Sequence, residues 1–178
     1  DYDDILLAAD EVTCDFGRTG GRFGTEYFGI RPDLMPIAKG LSSGYLPIGG
    51  VMVGDRVAEV MTGKAGEFHH GFTYSGHPVA CAVACAAINI LRDERIVERV
   101  GDDVGPYLQR RWHEEVGVHD LVGEARMVGL IGALELVKDK ARRQTFPEPG
   151  EVGLLCRDLC IANGLVMRAV RDTMIIAP

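Results

Sequence analysis

One lysine stands where an amine could act as a nucleophile. Lys39 follows the short apolar run 36–38 and opens a loop of small and polar residues that includes Gly40, Ser42 and Ser43. An amine is almost wholly protonated at neutral pH unless its surroundings favour the neutral form. A Schiff-base lysine therefore needs a rigid setting that controls the surroundings of its amine. A strand end, close backbone approach at Gly40 and neighbouring hydroxyls would supply that setting. The alternative interpretation is a surface lysine that opens a loop.

A carboxylate occupies a comparable position earlier in the chain. Residues 5–9 are continuously apolar, which predicts a short strand buried on both faces, as in a parallel sheet. This run ends at Asp10, and ligands of open α/β sheets gather at the carboxyl ends of strands. Asp10 is therefore the second candidate site residue. A loop acid or a helix N-cap is the alternative.

Other polar groups give weaker signals. The glycines of the loop 16–24 fit neither the dinucleotide-binding nor the P-loop spacing, although Arg18 and Arg22 could meet an anion there. Adjacent side chains such as those of His69 and His70 point apart, and no third metal ligand is placed beside them. We therefore expect no metal site.

Composition excludes several classes of protein. The chain has 178 residues, of which 47% are hydrophobic, and a formal net charge of −7, so it has no electrostatic signature of binding to nucleic acids or acidic membranes. The longest apolar run, 79–91, is too short to span a bilayer. The five cysteines include two pairs spaced four apart, which predicts reduced core thiols of a cytoplasmic protein rather than disulfides or zinc ligands. The residues at both ends of the chain are typical of folded elements rather than of linkers, and we therefore expect a fragment.

The pattern of elements predicts two domains. After the first apolar run come predicted strands at 33–38 and 51–53 and a helix from Asp55 to Gly63. A long helix begins at Pro78, with Val79, Ala82, Val83, Ala86, Ile90 and Leu91 on its apolar face. The sequence then becomes polar at 92–95, which sets the predicted domain boundary between 1–95 and 96–178.

The second part mixes strand and helix patterns. A charged helix leads towards Trp112, and strands are predicted at 128–137, 164–170 and 173–177 around a helix at 151–162. This combination predicts a small α+β domain.

Four motifs together resemble the class III aminotransferases. They are LAADEV at 7–12, GRTG at 17–20, AKG at 38–40 and GFTYSGHP at 71–78. The resemblance covers essentially the whole chain. The segment GLVMRAV at 164–170 makes the ω-amino acid:pyruvate transaminase branch the most similar.

This resemblance implies a fold, a cofactor and a partner. The fold class would be α/β: part of a fold type I large domain, with a mostly parallel sheet and helices, followed by a small α+β C-terminal domain. The cofactor would be pyridoxal 5′-phosphate, and the enzyme would be a homodimer with its active site at the interface. Because family members are much longer, 1–95 would be the C-terminal part of the cofactor domain and 96–178 a small domain incomplete at its end.

The resemblance also assigns roles to individual residues. Lys39 would form the internal aldimine and later transfer a proton, Asp10 would pair with the pyridinium nitrogen, and Val12 would pack on the ring. Thr73 would donate to the cofactor phosphate of the partner subunit. Arg168 would bind the carboxylate of an amino or keto acid, with a surface arginine on an edge strand as the alternative.

The implied reaction moves an amino group from an amine or ω-amino acid to a keto acid such as pyruvate. Another chemistry on the same scaffold, decarboxylation or amino-group migration, is the nearest alternative. A truncated, non-catalytic chain is an alternative from a different class.

Overall fold

The computed structural model of the chain describes residues 4–63 and 66–178. The chain forms two compact units, Asp1–Glu98 and Arg99–Pro178. No helix within the described ranges has both the length and the apolar character needed to cross a membrane.

The first unit is built around a two-stranded antiparallel sheet. Strand β1 (Leu34–Ile37) pairs with β2 (Gly50–Val53), with Leu34 opposite Val53 and Ile37 opposite Gly50. Helix α1 (Gly24–Phe28) precedes the sheet, a 3₁₀ turn (Lys39–Ser42) follows β1, and α2 (Asp55–Gly63) follows β2. Helix α3 (Pro78–Asp93) packs against the 3₁₀ turn. The strand predicted at 33–38 and the helix predicted from Asp55 to Gly63 are confirmed.

The predicted buried strand at 5–9 is wrong. Among the described residues its only bridge is a parallel one between Ala8 and Leu34, and Ile5, Leu6 and Leu7 are each about half exposed or more. The segment nevertheless runs beside β1, because Ala9 N donates to Leu34 O at 3.0 Å and Leu34 N donates to Leu7 O at 3.1 Å. The continuous apolar run therefore indicated a segment that lies beside a strand. It did not indicate which surface covers the two faces of this segment.

The predicted apolar face of the long helix is also wrong. The start at Pro78 is confirmed, but α3 buries the small residues Ala80, Ala84 and Ala87, whereas Val79 and Ile90 are exposed. Alanines permit the close approach of the 3₁₀ turn, which larger side chains would prevent.

The second unit begins with a series of short helical segments. These are α4 (Ile96–Arg99), whose last residue lies in this unit, a π turn (Val100–Val104), α5 (Gly105–Arg111) and a second π turn (Trp112–Val116). They are followed by β3 (Val122–Val128), β4 (Ile131–Leu136), α6 (Glu151–Ala162), β5 (Arg168–Val170) and β6 (Thr173–Ile176). The strands form one antiparallel sheet in the order β3-β4-β6-β5.

The core of the second unit lies on one face of this sheet. Met174 is fully buried at its centre, and the Trp112 indole donates from Nε1 to Ala133 O at 3.4 Å. Helix α6 is confirmed at its predicted position. The single strand predicted at 128–137 is wrong in its extent. A turn at Gly129 (φ 54°) separates β3 from β4, which form a hairpin.

Candidate active site

The turn at 10–15 is joined to the strand that leads into Lys39. Glu11 N donates to Pro36 O at 3.1 Å, and Ala38 N donates to Asp15 Oδ2 at 3.1 Å. The two candidate segments of the sequence, around Asp10 and around Lys39, are therefore adjacent in the first unit.

Lys39 has an uncommon backbone conformation. Its φ is +32°, in the region that costs free energy for any residue with a side chain and that occurs preferentially at functional sites. From this position its Nζ donates to Thr13 Oγ1 at 2.7 Å. The amine is thus held at the turn 10–15 rather than extended freely into solvent.

Asp15 is a buried carboxylate beside Lys39. It is 5% exposed, its Oδ2 accepts Ala38 N at 3.1 Å, and its Oδ1 lies against the backbone of Gly40, so it touches the residues on either side of Lys39. Burial raises the pKa of Asp15 from 3.8 to about 6, and the charge of Glu11 acts in the same direction. The backbone amides of Ala38 and Gly40 and the Lys39 ammonium oppose this rise.

Glu11 is a second buried carboxylate of the same turn. It is 3% exposed, and its two oxygens accept from Gly24 N at 2.7 Å and Thr25 N at 2.6 Å at the start of α1. It therefore fixes the far side of the turn to α1, which satisfies two amides that have no partner within the helix.

Replacing Glu11 by glutamine should destabilise the full-length protein by about 1–3 kcal/mol, because an amide side chain can accept only one of the two buried N–H groups well. The shift in the midpoint of urea unfolding would measure this loss. Glu26→Gln is the matched control, since Glu26 accepts Arg22 N at 2.8 Å on an exposed surface. We expect the control to change stability by less than about 0.5 kcal/mol. Equal effects of the two substitutions would contradict a special role for Glu11.

Asp10 and Val12 lie on the open side of the turn. Asp10 is exposed, and its Oδ1 accepts Val12 N at 3.1 Å, which fixes the carboxylate relative to the turn. Val12 is partly buried. Thr13, which follows Val12 in this turn, accepts the hydrogen bond from Lys39 Nζ. Asp10, Val12 and Lys39 therefore all lie at the same turn.

Thr73 lies in an exposed segment before α3. Phe72 N donates to Ser75 Oγ at 2.9 Å and Ser75 N donates to Phe72 O at 2.9 Å, which forms a tight turn around Thr73 and Tyr74. His77 then caps α3 by accepting Ala80 N at 3.4 Å. Phe72 and Tyr74 are 82% and 81% exposed, so this turn presents aromatic side chains as well as the Thr73 hydroxyl.

Arg168 opens the edge strand β5 of the second unit. It pairs with Ile175 in the sheet and its side chain is exposed. Within residues 4–63 and 66–178, the Arg168 guanidinium has no hydrogen-bond or salt-bridge partner. It is therefore available to an anion.

The thiol of Cys14 lies in the same acidic turn. Burial raises its pKa, and the charges of Glu11, Asp15 and Asp10 add to this effect against the opposing charge of Lys39. The thiol is therefore kept in its protonated, unreactive form. In the described part of the chain, no three His, Cys, Asp or Glu residues are grouped so that they could hold a metal ion.

Sequence reasoning missed Glu11, Thr13 and Asp15 as site residues. Their partners lie 13 to 26 residues away, at separations that no local pattern reveals. A signal was nevertheless present, because the six residues 10–15 at the end of an apolar run contain three acids.

Comparison with known proteins identifies the family. The family model of class III aminotransferases matches residues 1–173, so the chain belongs to that family. The putrescine–pyruvate aminotransferase of Pseudomonas aeruginosa is 62% identical over 175 residues, which are 98% of this chain and 38% of that protein. The mitochondrial gamma aminobutyrate transaminase 1 of Solanum lycopersicum is 44% identical over 178 residues, 98% of this chain and 34% of its own length.

Solved structures of transaminases have the same fold. A transaminase obtained by ancestral reconstruction superposes with a TM-score of 0.92 at 44% identity, covering 98% of this chain and 39% of that one. A thermostable (S)-enantioselective omega-transaminase from Thermomicrobium roseum gives a TM-score of 0.89 at 42% identity, with coverages of 98% and 39%. The chain thus spans less than two-fifths of the length of these relatives.

The residues present fit the cofactor that this family implies. Pyridoxal 5′-phosphate offers an aldehyde, a ring nitrogen and a phosphate. The chain offers a positioned amine at Lys39, an exposed carboxylate at Asp10 and an exposed hydroxyl at Thr73. The backbone of Gly40, next to Lys39, also lies close to residues 15 and 16. A side-chain carbon at Gly40 would lie 3.0 Å from Asp15 Oδ1 and from Phe16 Cβ.

Proposed function

We propose that the whole protein is a pyridoxal-phosphate-dependent aminotransferase that uses Lys39 as its covalent attachment point. The observation that carries this proposal is the Lys39 amine, which is held 2.7 Å from Thr13 Oγ1 on the turn that also presents Asp10. The positive φ of +32° at Lys39 supports the proposal further, because such backbone conformations cluster at functional sites.

Each residue of the site would bind one part of the cofactor. Lys39 would hold the aldehyde carbon through Nζ, and Asp10 would hold a proton on the ring nitrogen by pairing with it. Val12 would pack on a ring face, and the hydroxyl of the partner subunit's Thr73 would donate to a phosphate oxygen. When bound, the cofactor supplies an electron sink for negative charge at the substrate Cα.

Lys39 and Arg168 would act on the substrate. The Lys39 Nζ would remove the proton from the substrate Cα and return one during the transfer. The guanidinium of Arg168, which has no partner in the described ranges, would bind the substrate carboxylate with two parallel hydrogen bonds, a geometry that lysine cannot provide.

The proposed substrates are an amine or ω-amino acid as donor and a keto acid such as pyruvate as acceptor. The 62% identity to a putrescine–pyruvate aminotransferase supports this choice. We also propose that the protein is a cytoplasmic homodimer with its active site at the interface. The exposed aromatic side chains of Phe72 and Tyr74, on the turn that carries Thr73, support that assembly.

Borohydride reduction of the full-length protein with pyridoxal 5′-phosphate, followed by peptide mapping, tests the attachment point. We expect one pyridoxyl group per chain, on Lys39, together with visible absorbance before reduction. Within residues 1–178 the other lysines are Lys64, Lys138 and Lys140, and peptide mapping distinguishes each of them from Lys39. An adduct on one of these, or none at all, would show that the proposal is wrong.

A further inference from the structure

The carboxylate of Asp15 lies against the backbone on both sides of Lys39. Its Oδ2 accepts Ala38 N at 3.1 Å, and its Oδ1 is so close to Gly40 that a side-chain carbon at that position would lie 3.0 Å away. Lys39 itself, between these two residues, has the positive φ of +32°. The backbone beside the reactive lysine is therefore held by a single side chain from a different segment.

This arrangement is costly for the fold. Asp15 is 5% exposed, and its pKa of about 6 means that the folded state holds the Asp15 proton more tightly than the unfolded chain does. Between about pH 4 and pH 6, the loss of that proton therefore lowers the stability of the folded state. A buried carboxylate that opposes folding at neutral pH but accepts the amide that precedes Lys39 calls for a reason other than stability.

We propose that Asp15 is a positioning residue, whose carboxylate accepts Ala38 N and packs against Gly40 and so holds Lys39 in the conformation that directs its amine to the turn 10–15. This inference rests on the proposed attachment of the cofactor at Lys39. Asp15 touches neither substrate nor cofactor in this role. Its action passes through the backbone of residues 38–40.

The charge of Asp15 matters because an ionised carboxylate is a stronger acceptor than a carboxylic acid. Protonation weakens the hydrogen bond from Ala38 N, so the hold of Asp15 on residues 38–40 weakens below about pH 6. The groups that face Asp15 are Glu11, which disfavours its ionisation, and Lys39, which favours it. The neighbouring thiol of Cys14 stays protonated in this range.

The first test measures this hydrogen bond directly in the full-length protein without cofactor. Amide hydrogen exchange at Ala38 should be faster by about tenfold or more in Asp15→Asn than in the wild type, because an ionised acceptor is replaced by a neutral carboxamide. Asp33→Asn is the matched control, since Asp33 Oδ2 accepts Leu7 N, the amide of a different segment, at 2.8 Å in the same unit. Unchanged exchange at Ala38 in Asp15→Asn would overturn the proposal.

The second test follows the reactivity of Lys39. Pyridoxal 5′-phosphate is added to the protein without cofactor, the reaction is quenched with borohydride at intervals, and the adduct on Lys39 is quantified by peptide mapping. At about pH 7.5 we expect attachment to Asp15→Asn to be roughly 10- to 100-fold slower than to the wild type, the scale of a misplaced reacting group. Asp33→Asn should react at the wild-type rate.

The pH dependence separates positioning from support of the fold. The wild-type attachment rate should show an inflection near pH 6 that is missing in Asp15→Asn. The free energy of unfolding of this variant, relative to that of the wild type, should increase as pH rises from about 4.5 to 7. A wild-type profile that the variant reproduces, or equal slowing by Asp33→Asn, would contradict the proposal. If the wild type forms no adduct on Lys39, the proposed function fails, and the exchange experiment still decides whether Asp15 holds the segment.

Discussion

Replacing Lys39 by alanine is expected to lower kcat of the full-length protein by at least roughly 10²–10⁴-fold, the contribution of a positioned general acid–base group. The substitution removes the amine that we propose as both attachment point and proton carrier. It leaves Asp10, Val12 and Thr73 in place, so cofactor should still bind without a covalent link. The measurement is steady-state transamination of pyruvate, together with the visible spectrum of the protein mixed with pyridoxal 5′-phosphate.

Lys138→Ala is the matched control for this prediction, because Lys138 belongs to the second unit, whereas Lys39 belongs to the first, and it is not among the residues that we propose to bind cofactor or substrate. Its activity should equal that of the wild type. Partial recovery of Lys39→Ala by added methylamine would support the role in proton transfer, since a small free amine can enter the space left by the side chain. Retention of more than about a tenth of the wild-type kcat would exclude Lys39 as the central residue.

Sequence features within and next to an element were sufficient to predict several of the strands and helices. The apolar run 33–38 ends at a lysine followed by glycine, and β1 and the 3₁₀ turn occur there. The helices at 55–63 and 151–162 carry the boundary residues that the sequence indicates, and Gly164 takes a φ of 84° after the second of them. Each of these features depends on a few neighbouring residues, which is why single-sequence reasoning finds them.

Two of the errors, at residues 5–9 and on α3, share one physical cause. The faces of residues 5–9 and of α3 depend on which surfaces cover them, and this chain spans less than two-fifths of its relatives. The apolar side chains of Ile5 and Ile90 are exposed within it, whereas the alanines of α3 are buried. Apolar periodicity shows that a face is apolar, but it does not show which of two apolar faces meets a given neighbour.

The candidate site divides in the same way. Asp10 and Lys39 could be proposed from the sequence because both follow apolar runs that lead towards one edge of a sheet. Asp15 and Thr13 could not, because their importance lies in hydrogen bonds to segments 23 and 26 residues away. The sequence therefore indicated the reactive groups, whereas the structure was needed to find the groups that hold them.

Arg168→Ala is expected to lower kcat/KM for pyruvate or alanine by roughly 2–4 kcal/mol of transition-state stabilisation, the scale of a lost partner in a desolvated ion pair. The reason is that Arg168 lies on the edge strand β5 with no partner for its guanidinium in the described ranges, so its charge is available to a substrate carboxylate. An arylalkylamine donor carries no carboxylate, and its own half-reaction should therefore change far less. Arg168→Lys should recover only part of the loss, because an ammonium cannot form the two parallel hydrogen bonds of a guanidinium.

Arg171→Ala is the matched control, since Arg171 lies three residues further along the same hairpin. The two half-reactions are measured separately by stopped-flow absorbance, so that binding of the carboxylate and transfer of the amino group from the amine are not combined in one number. A selective loss with carboxylate substrates, absent from Arg171→Ala, would assign substrate recognition to Arg168. Equal losses with the amine and the carboxylate substrates would instead indicate that Arg168 supports the edge of the sheet, because a structural defect affects both half-reactions alike.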